Sequence, residues 1–220
     1  MIPNKSSVLI PVNNFALYGD LNLVEGSQGI VVFVHGSGSS RFSTRNQLVA
    51  EMLNRAYFST LLFDLLTEEE EKIDTYSQEF RFNIPLLAER LVIVSKWLKN
   101  NEATSDQKLG YFGASTGAAA ALIAAAELPN DVEAVVSRGG RPDMAHQYLG
   151  VVQAPTLLIV GELDYEVIPL NEYAYQQLRG EKKILIIPGA THLFEESGTL
   201  ELAAQASADW FTTYLRPALI

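Results

Sequence analysis

Gly113-Ala114-Ser115-Thr116-Gly117 sets a serine between two glycines in the pattern G-x-S-x-G. In that pattern a strand turns sharply into a helix and holds the serine hydroxyl above the edge of a sheet. The apolar run Leu109–Phe112 precedes it and an alanine-rich stretch follows, so both flanking elements are legible. The chemistry on offer is nucleophilic. An alcohol is a poor nucleophile at neutral pH, so Ser115 needs a base to take its proton and an acid to orient that base.

The chain holds three histidines. His192 lies in Gly189-Ala190-Thr191-His192-Leu193-Phe194, directly after the apolar run Ile184–Ile187, where a loop leaving a strand delivers it to the same rim as Ser115. His35 precedes the serine, and His146 has no buried strand end just before it, so His192 is the expected base. Gly161-Glu162-Leu163-Asp164 follows the run Thr156–Val160 and makes Asp164 the expected acid, in the chain order Ser, Asp, His. Glu162, Glu166 and Asp64 are the alternatives. The oxyanion of a tetrahedral intermediate needs amide donors. One is expected at Thr116, just after the nucleophile. The other is expected in His35-Gly36-Ser37-Gly38, at Ser37 first and Gly38 second. This glycine-rich turn lacks the lysine of a phosphate-binding loop and the third glycine of a dinucleotide fingerprint.

Arg138 and Arg141 follow the run Val132–Val136, and Arg41 and Arg45 follow the oxyanion turn. Guanidinium groups there either clamp a carboxylate or phosphate of the substrate, or pair with Asp143 and loop carbonyls and brace the turns. Spacing alone leaves both readings open.

These residues need a frame whose strand ends converge. Val8, Ile10 and Val12 alternate, as do Leu17, Leu21 and Leu23, with Asn13-Asn14 between them, which predicts an opening hairpin. Beyond Gly26 come continuous apolar runs, Ile30–Val34, Phe58–Phe63, Lys108–Phe112, Val132–Val136, Thr156–Val160 and Ile184–Ile187, of the kind that suits strands buried on both faces. Between them, Leu48, Val49, Met52, Leu53 and Ala56 mark one helix face. Leu87, Ala88, Leu91, Val92 and Leu98 mark another, with Pro85 in its first turn. Thr116–Leu128 is stopped by Pro129, and Leu200, Ala203, Trp210, Phe211 and Tyr214 stripe a last helix. Strands alternating with helices imply a mostly parallel sheet covered on both faces, with ligands at the carboxyl ends of the strands. The run Glu68–Glu71 reads as a polar surface excursion able to act as a short lid.

The chain has 220 residues, of which 48% are hydrophobic and 19% charged, the profile of one globular domain spanning 1–220. A net charge of −10 argues against nucleic acid and anionic lipid as partners, since both draw on clustered cations. Cysteine is absent, which excludes disulfides, thiolate metal sites and a cysteine nucleophile. Met1–Ser7 lacks the apolar core of a signal peptide, and no run is long enough to span a bilayer, so a cytoplasmic location is expected. Oligomeric state is not legible.

His35–Ser40, Gly113–Gly117, Ala154–Asp164 and Gly189–Phe194 together resemble the α/β-hydrolase superfamily, and more closely its dienelactone-hydrolase-like branch of small, uncapped members. The resemblance implies a single-domain α/β-hydrolase fold, an eight-stranded sheet with one antiparallel strand, no cofactor and no metal. Dienelactone hydrolases proper use a cysteine nucleophile where this chain has Ser115. Serine suits hydrolysis of a carboxylic ester of a small soluble substrate through an acyl-enzyme. Amide or peptide hydrolysis by the same residues, or a non-catalytic binding member of the fold, are the alternatives.

Overall fold

The computed structural model describes residues 4–27 and 29–215, so Met1–Pro3 of the N-terminal stretch read above lie outside the described residues. The hairpin forms as expected from β1 (Asn4–Val12) and β2 (Phe15–Leu23), paired antiparallel with Val12 opposite Phe15. Asn13 at the turn takes the left-handed φ of 50° that asparagine tolerates better than most residues. Ile10, Leu17 and Leu21 face inward while Leu9 and Tyr18 face solvent, the alternation of a strand buried on one side.

Six further strands follow: β3 (Gly29–Val34), β4 (Ser59–Phe63), β5 (Lys108–Ala114), β6 (Val132–Arg138), β7 (Thr156–Gly161) and β8 (Lys182–Ile187). All eight join one sheet in the order β1-β2-β4-β3-β5-β6-β7-β8. β2 runs antiparallel to both its neighbours, and the remaining pairs are parallel. Every residue of β3, β4 and β7 is buried, which explains their unbroken apolar runs. β8 departs from the expectation of burial on both faces, since only Ile187 is buried. It is an edge strand, so one flank of Lys182–Leu185 has no neighbour to cover it.

Helices α1 (Thr44–Arg55) and α6 (Thr199–Tyr214) cover one face, over a core that includes Phe33, Phe58, Phe112 and Phe211. The other face carries α3 (Ile84–Lys99), α4 (Thr116–Glu127), α5 (Ile168–Gln177) and a 3-10 segment, Pro142–Val151. All the alanines of α4 but Ala126 are buried, and their small side chains let this helix lie close against the sheet.

Glu68–Glu71 does not lie in an irregular excursion. It forms the first turn of α2 (Glu68–Ser77), where Thr67 and Glu70 make a reciprocal capping box. Carboxylates at a helix N-terminus face the positive end of the helix dipole, which favours the run there. Glu70 also pairs with Arg90 of α3, so α2 is tied down along this turn.

Candidate active site

β3 sits between β4 and β5, so the chain leaves β3 to one side and returns on the other, opening a crevice at the carboxyl ends of the strands. Ser115 stands at that edge, between β5 and α4, with φ 51° and ψ −125°. Such a backbone is strained for any residue with a side chain. The turn is held by Ser115 N–H donating to Arg138 O at 3.3 Å and Arg141 N–H donating to Ser115 O at 3.0 Å. The flanking glycines are required by contact. A β-carbon at Gly117 would lie 2.1 Å from Val34 O, and one at Gly113 would lie 2.5 Å from Ala118 Cα. Gly36 has the same constraint from the facing loop, where a β-carbon would meet Ser115 Cβ at 3.0 Å.

His192 arrives from the loop after β8, and its Nδ1 lies 2.7 Å from Asp164 Oδ2. Asp164 is 8% exposed and sits in a turn whose own carbonyl accepts from Val167 and Ile168 N–H. The His192 loop is clamped from three sides. Leu163 N–H donates to Ala190 O at 2.9 Å, Glu162 Oε2 accepts from Gly189 N–H at 2.8 Å, and Glu196 accepts from both the N–H and the hydroxyl of Thr191. Those two hydrogen bonds hold the Glu196 carboxyl below the usual carboxylate range. A β-carbon at Gly139, the residue after Arg138, would fall 3.7 Å from His192 Cε1, so the imidazole stands over the strand end beside Ser115. Ser115 Oγ makes no hydrogen bond to His192 among the described residues, a separation common before substrate draws the groups together.

The alternatives for the acid are occupied elsewhere. Glu162 holds Gly189, Asp64 accepts from Arg41 N–H at 2.8 Å and pairs with its guanidinium, and among the described residues it is Asp164 whose carboxylate bonds His192. His35 has a task that its sequence position did not suggest. It is buried, its Nε2 accepts from Leu65 N–H at 3.1 Å, and Nδ1–H donates to Gly36 O at 2.9 Å. Burial pushes its pKa below the ordinary imidazole value, so it stays neutral and fixes the loop that faces Ser115.

The oxyanion expectations divide. Thr116 N–H, at the first position of α4, donates to no described acceptor, as helix starts allow. Ser37 N–H donates to Thr116 Oγ1 at 2.9 Å, a bond across 79 positions that sequence spacing could not reveal, while Gly38 N–H donates to no described acceptor and Gly38 has φ 69°. A cavity of about 210 Å³ lies behind this loop, lined by His35–Ser39, Glu71, Asp74 and Arg81 among others. A larger groove of about 740 Å³ between β2 and α1 contains none of Ser115, Asp164 or His192.

The arginines also divide. Arg41 pairs with Asp64 and stacks over Phe42 at 4.1 Å. Arg141 makes a bidentate pair with Asp143 at 2.8 and 2.9 Å. Arg138 is buried at 6% exposure and has no carboxylate partner among the described residues.

Among the described residues no group of three His, Cys, Asp or Glu converges as a metal ion would require. No described helix is long and apolar enough to cross a membrane.

Comparison with known proteins agrees with this fold. A solved dienelactone hydrolase from Anabaena variabilis ATCC 29413 is 55% identical, with a TM-score of 0.96 over 97% of this chain and 99% of that one. Est1E from Butyrivibrio proteoclasticus shares the fold at 15% identity, with a TM-score of 0.79 over 94% of this chain and 98% of its own. A Mycobacterium tuberculosis (strain ATCC 25618 / H37Rv) protein named "Putative phosphoribosyl transferase Rv0571c" is 55% identical over 197 residues, which cover 90% of this chain and 44% of that protein. The chain thus spans less than half the length of the curated relatives it matches. The model of the Dienelactone hydrolase family matches residues 24–215, and with the eight-stranded sheet and its strained serine turn the chain belongs to that family of α/β-hydrolases.

Proposed function

We propose that the chain is a serine hydrolase that cleaves a carboxylic ester of a small substrate through an acyl-enzyme on Ser115, with His192 as base and Asp164 as its orienting acid. The observation that carries this reading is the 2.7 Å contact between His192 Nδ1 and Asp164 Oδ2, made at the same strand edge as the strained Ser115. With Asp164 ionised, Nδ1 carries the proton and Nε2 keeps its lone pair on the open side of the ring.

In that arrangement Ser115 Oγ attacks the ester carbonyl carbon while Nε2 takes the hydroxyl proton. The oxyanion is received by Thr116 N–H and by an amide of the Ser37-Gly38 turn. Gly38 N–H is free to donate, whereas Ser37 N–H must first leave Thr116 Oγ1. Collapse of the intermediate breaks the bond to the alcohol, which leaves with the proton from Nε2. Water then attacks the acyl carbon, gives its proton to Nε2, and releases the acid as the proton returns to Ser115.

Phosphoribosyl transfer is not carried over from the M. tuberculosis name, because the match covers 44% of that protein and function belongs to sites rather than to names. The test is labelling with a fluorophosphonate, which reacts with activated serines. Stoichiometric labelling at Ser115, lost in Ser115→Ala and accompanied by ester turnover, supports the reading. An inert Ser115 in a folded protein supports a binding member of the fold instead.

A further inference from the structure

Asn171 and Ala174 are the buried residues of α5, and Asn171 is 0% exposed. Its side-chain NH2 donates to Gly140 O and to Val167 O, each at 3.0 Å. Both partners are carbonyl oxygens, so the amide must turn its NH2 towards them, and both of its protons are used. Oδ1 is then left buried without a hydrogen-bond partner among the described residues. An orphaned buried acceptor costs the fold free energy, and a leucine of similar size would avoid that cost. What offsets it is the pair of segments that the NH2 group joins.

Each segment belongs to the site. Gly140 C=O and Arg141 N–H are the two ends of one peptide group, and in a trans peptide they point in opposite directions. Asn171 holds the C=O, while the N–H donates to Ser115 O at 3.0 Å. The peptide is thus strung between α5 and the carbonyl of the nucleophile, and a hydrogen bond at one end polarises the group and strengthens the bond at the other. It has little room to tilt, because a β-carbon at Gly140 would overlap Ser137 Oγ and lie 2.6 Å from Ala118 Cβ. Val167, the second partner, closes the turn of the acid by donating its N–H to Asp164 O at 3.0 Å. Ser115 needs such a brace, since its φ of 51° and ψ of −125° are costly for a residue with a side chain. Apart from Arg141, its carbonyl accepts only from Ala118 N–H, at 3.1 Å, among the described residues.

Resting on the ester-hydrolase reading above, we propose that Asn171 is a positioning residue, which ties the Gly140–Arg141 peptide, and through it the strained Ser115, to the turn that carries Asp164. The side chain acts through these two turns, and so fixes the nucleophile relative to the acid and to the His192 that the acid holds.

The experiment compares Asn171→Leu, which keeps the size and removes both donors, with Ala174→Gly, which weakens the other buried anchor of α5 and bonds nothing in the site. Hydrolysis of a short-chain ester and the second-order rate of fluorophosphonate labelling at Ser115 are measured well below each variant's melting temperature. Asn171→Leu should lower kcat and the labelling rate together by roughly tenfold to a hundredfold, the cost of misplacing a reacting group by about 1 Å. KM should change by no more than a few-fold. Ala174→Gly should lower the melting temperature and leave both rates as in the wild type. Unchanged rates in Asn171→Leu, or an equal loss in both variants, overturn the proposal, since either outcome makes Asn171 an anchor of α5 alone. Should Asn171→Leu not fold, hydrogen exchange of the wild type decides. Arg141 N–H should be protected as strongly as the interior amides of α4, and exchange at the rate of an exposed loop refutes the brace. If the wild type cleaves no ester and Ser115 resists fluorophosphonate, the ester-hydrolase reading has failed. The brace is then judged alone, by whether Asn171→Leu speeds exchange at Arg141 N–H while Ala174→Gly does not, and unchanged exchange in Asn171→Leu overturns it.

Discussion

Replacing Asp164 by asparagine exchanges one carboxylate oxygen for an NH2 group and tests the pairing on which the mechanism depends. His192 Nδ1 now faces a carboxylate oxygen at 2.7 Å. An asparagine amide that turns its NH2 to Nδ1 makes the ring accept at Nδ1 and carry its proton on Nε2. Nε2 is the atom that needs a lone pair towards Ser115. In serine triads this inversion costs about 10⁴ in kcat, equivalent to roughly 5.4 kcal/mol of transition-state stabilisation. Folding should suffer far less. The imidazole side chain is 38% exposed, so solvent already screens the pair, and a loss of about 1 kcal/mol lowers the melting temperature by about 2–4 °C. Steady-state hydrolysis of a short-chain ester, with a thermal melt of the same sample, measures both. Glu162→Gln is the control, because Glu162 holds Gly189 N–H from an exposed position and its loss should change kcat by no more than a few-fold. Near-normal activity in Asp164→Asn, beside a thousandfold loss in Glu162→Gln, would refute the assignment.

Other perturbations follow from particular contacts. Gly36→Ala places a methyl group 3.0 Å from Ser115 Cβ, so kcat should fall at least tenfold, and unchanged kinetics would mean that the facing loop moves freely. Gly117→Ala drives a β-carbon to 2.1 Å from Val34 O, and since neither backbone can yield, it should destabilise by several kcal/mol. A wild-type melting curve for that variant would contradict the close packing of α4 on β3. The Asp74 and Glu70 carboxyls are held below their ordinary values of 3.8 and 4.5 by hydrogen bonds and charge from Arg81 and Arg90 respectively. Their contribution to stability is therefore complete above about pH 4.5 and is lost as pH falls through the depressed values. Thermal melts should decline in that acid window, and Asp74→Asn should flatten the decline. An equally steep curve in the variant would mean that other carboxyls govern it.

Much of this site could be read from the chain because its parts are local. The serine turn is announced by two glycines with an apolar strand before and an alanine helix after, and each partner follows its own apolar run, so the rim assembles once the strands are ordered. Contacts between distant segments were not legible. Arg41 finds Asp64, just past β4, and Asp20 on β2, and Ser37 finds Thr116, pairings with no local signal. Glu68–Glu71 reads as a surface excursion by its charge, which masks the Thr67-x-x-Glu70 capping pattern that marks a helix start. α5 had no apolar stripe to find, since only Asn171 and Ala174 of it are buried. β8 reads as an interior strand by composition, yet an edge strand of Ile and Leu has the same composition with one flank uncovered.

The nucleophile itself is open to direct observation by trapping the acyl-enzyme. An activated short-chain ester mixed with the protein and quenched in acid should leave one protein molecule heavier by one acyl group, as read by intact mass spectrometry. Peptide mapping should place that group on Ser115, and Ser115→Ala should show neither the adduct nor turnover while melting like the wild type. An adduct on another residue, or continued hydrolysis by Ser115→Ala, would contradict the assignment of Ser115 as the nucleophile.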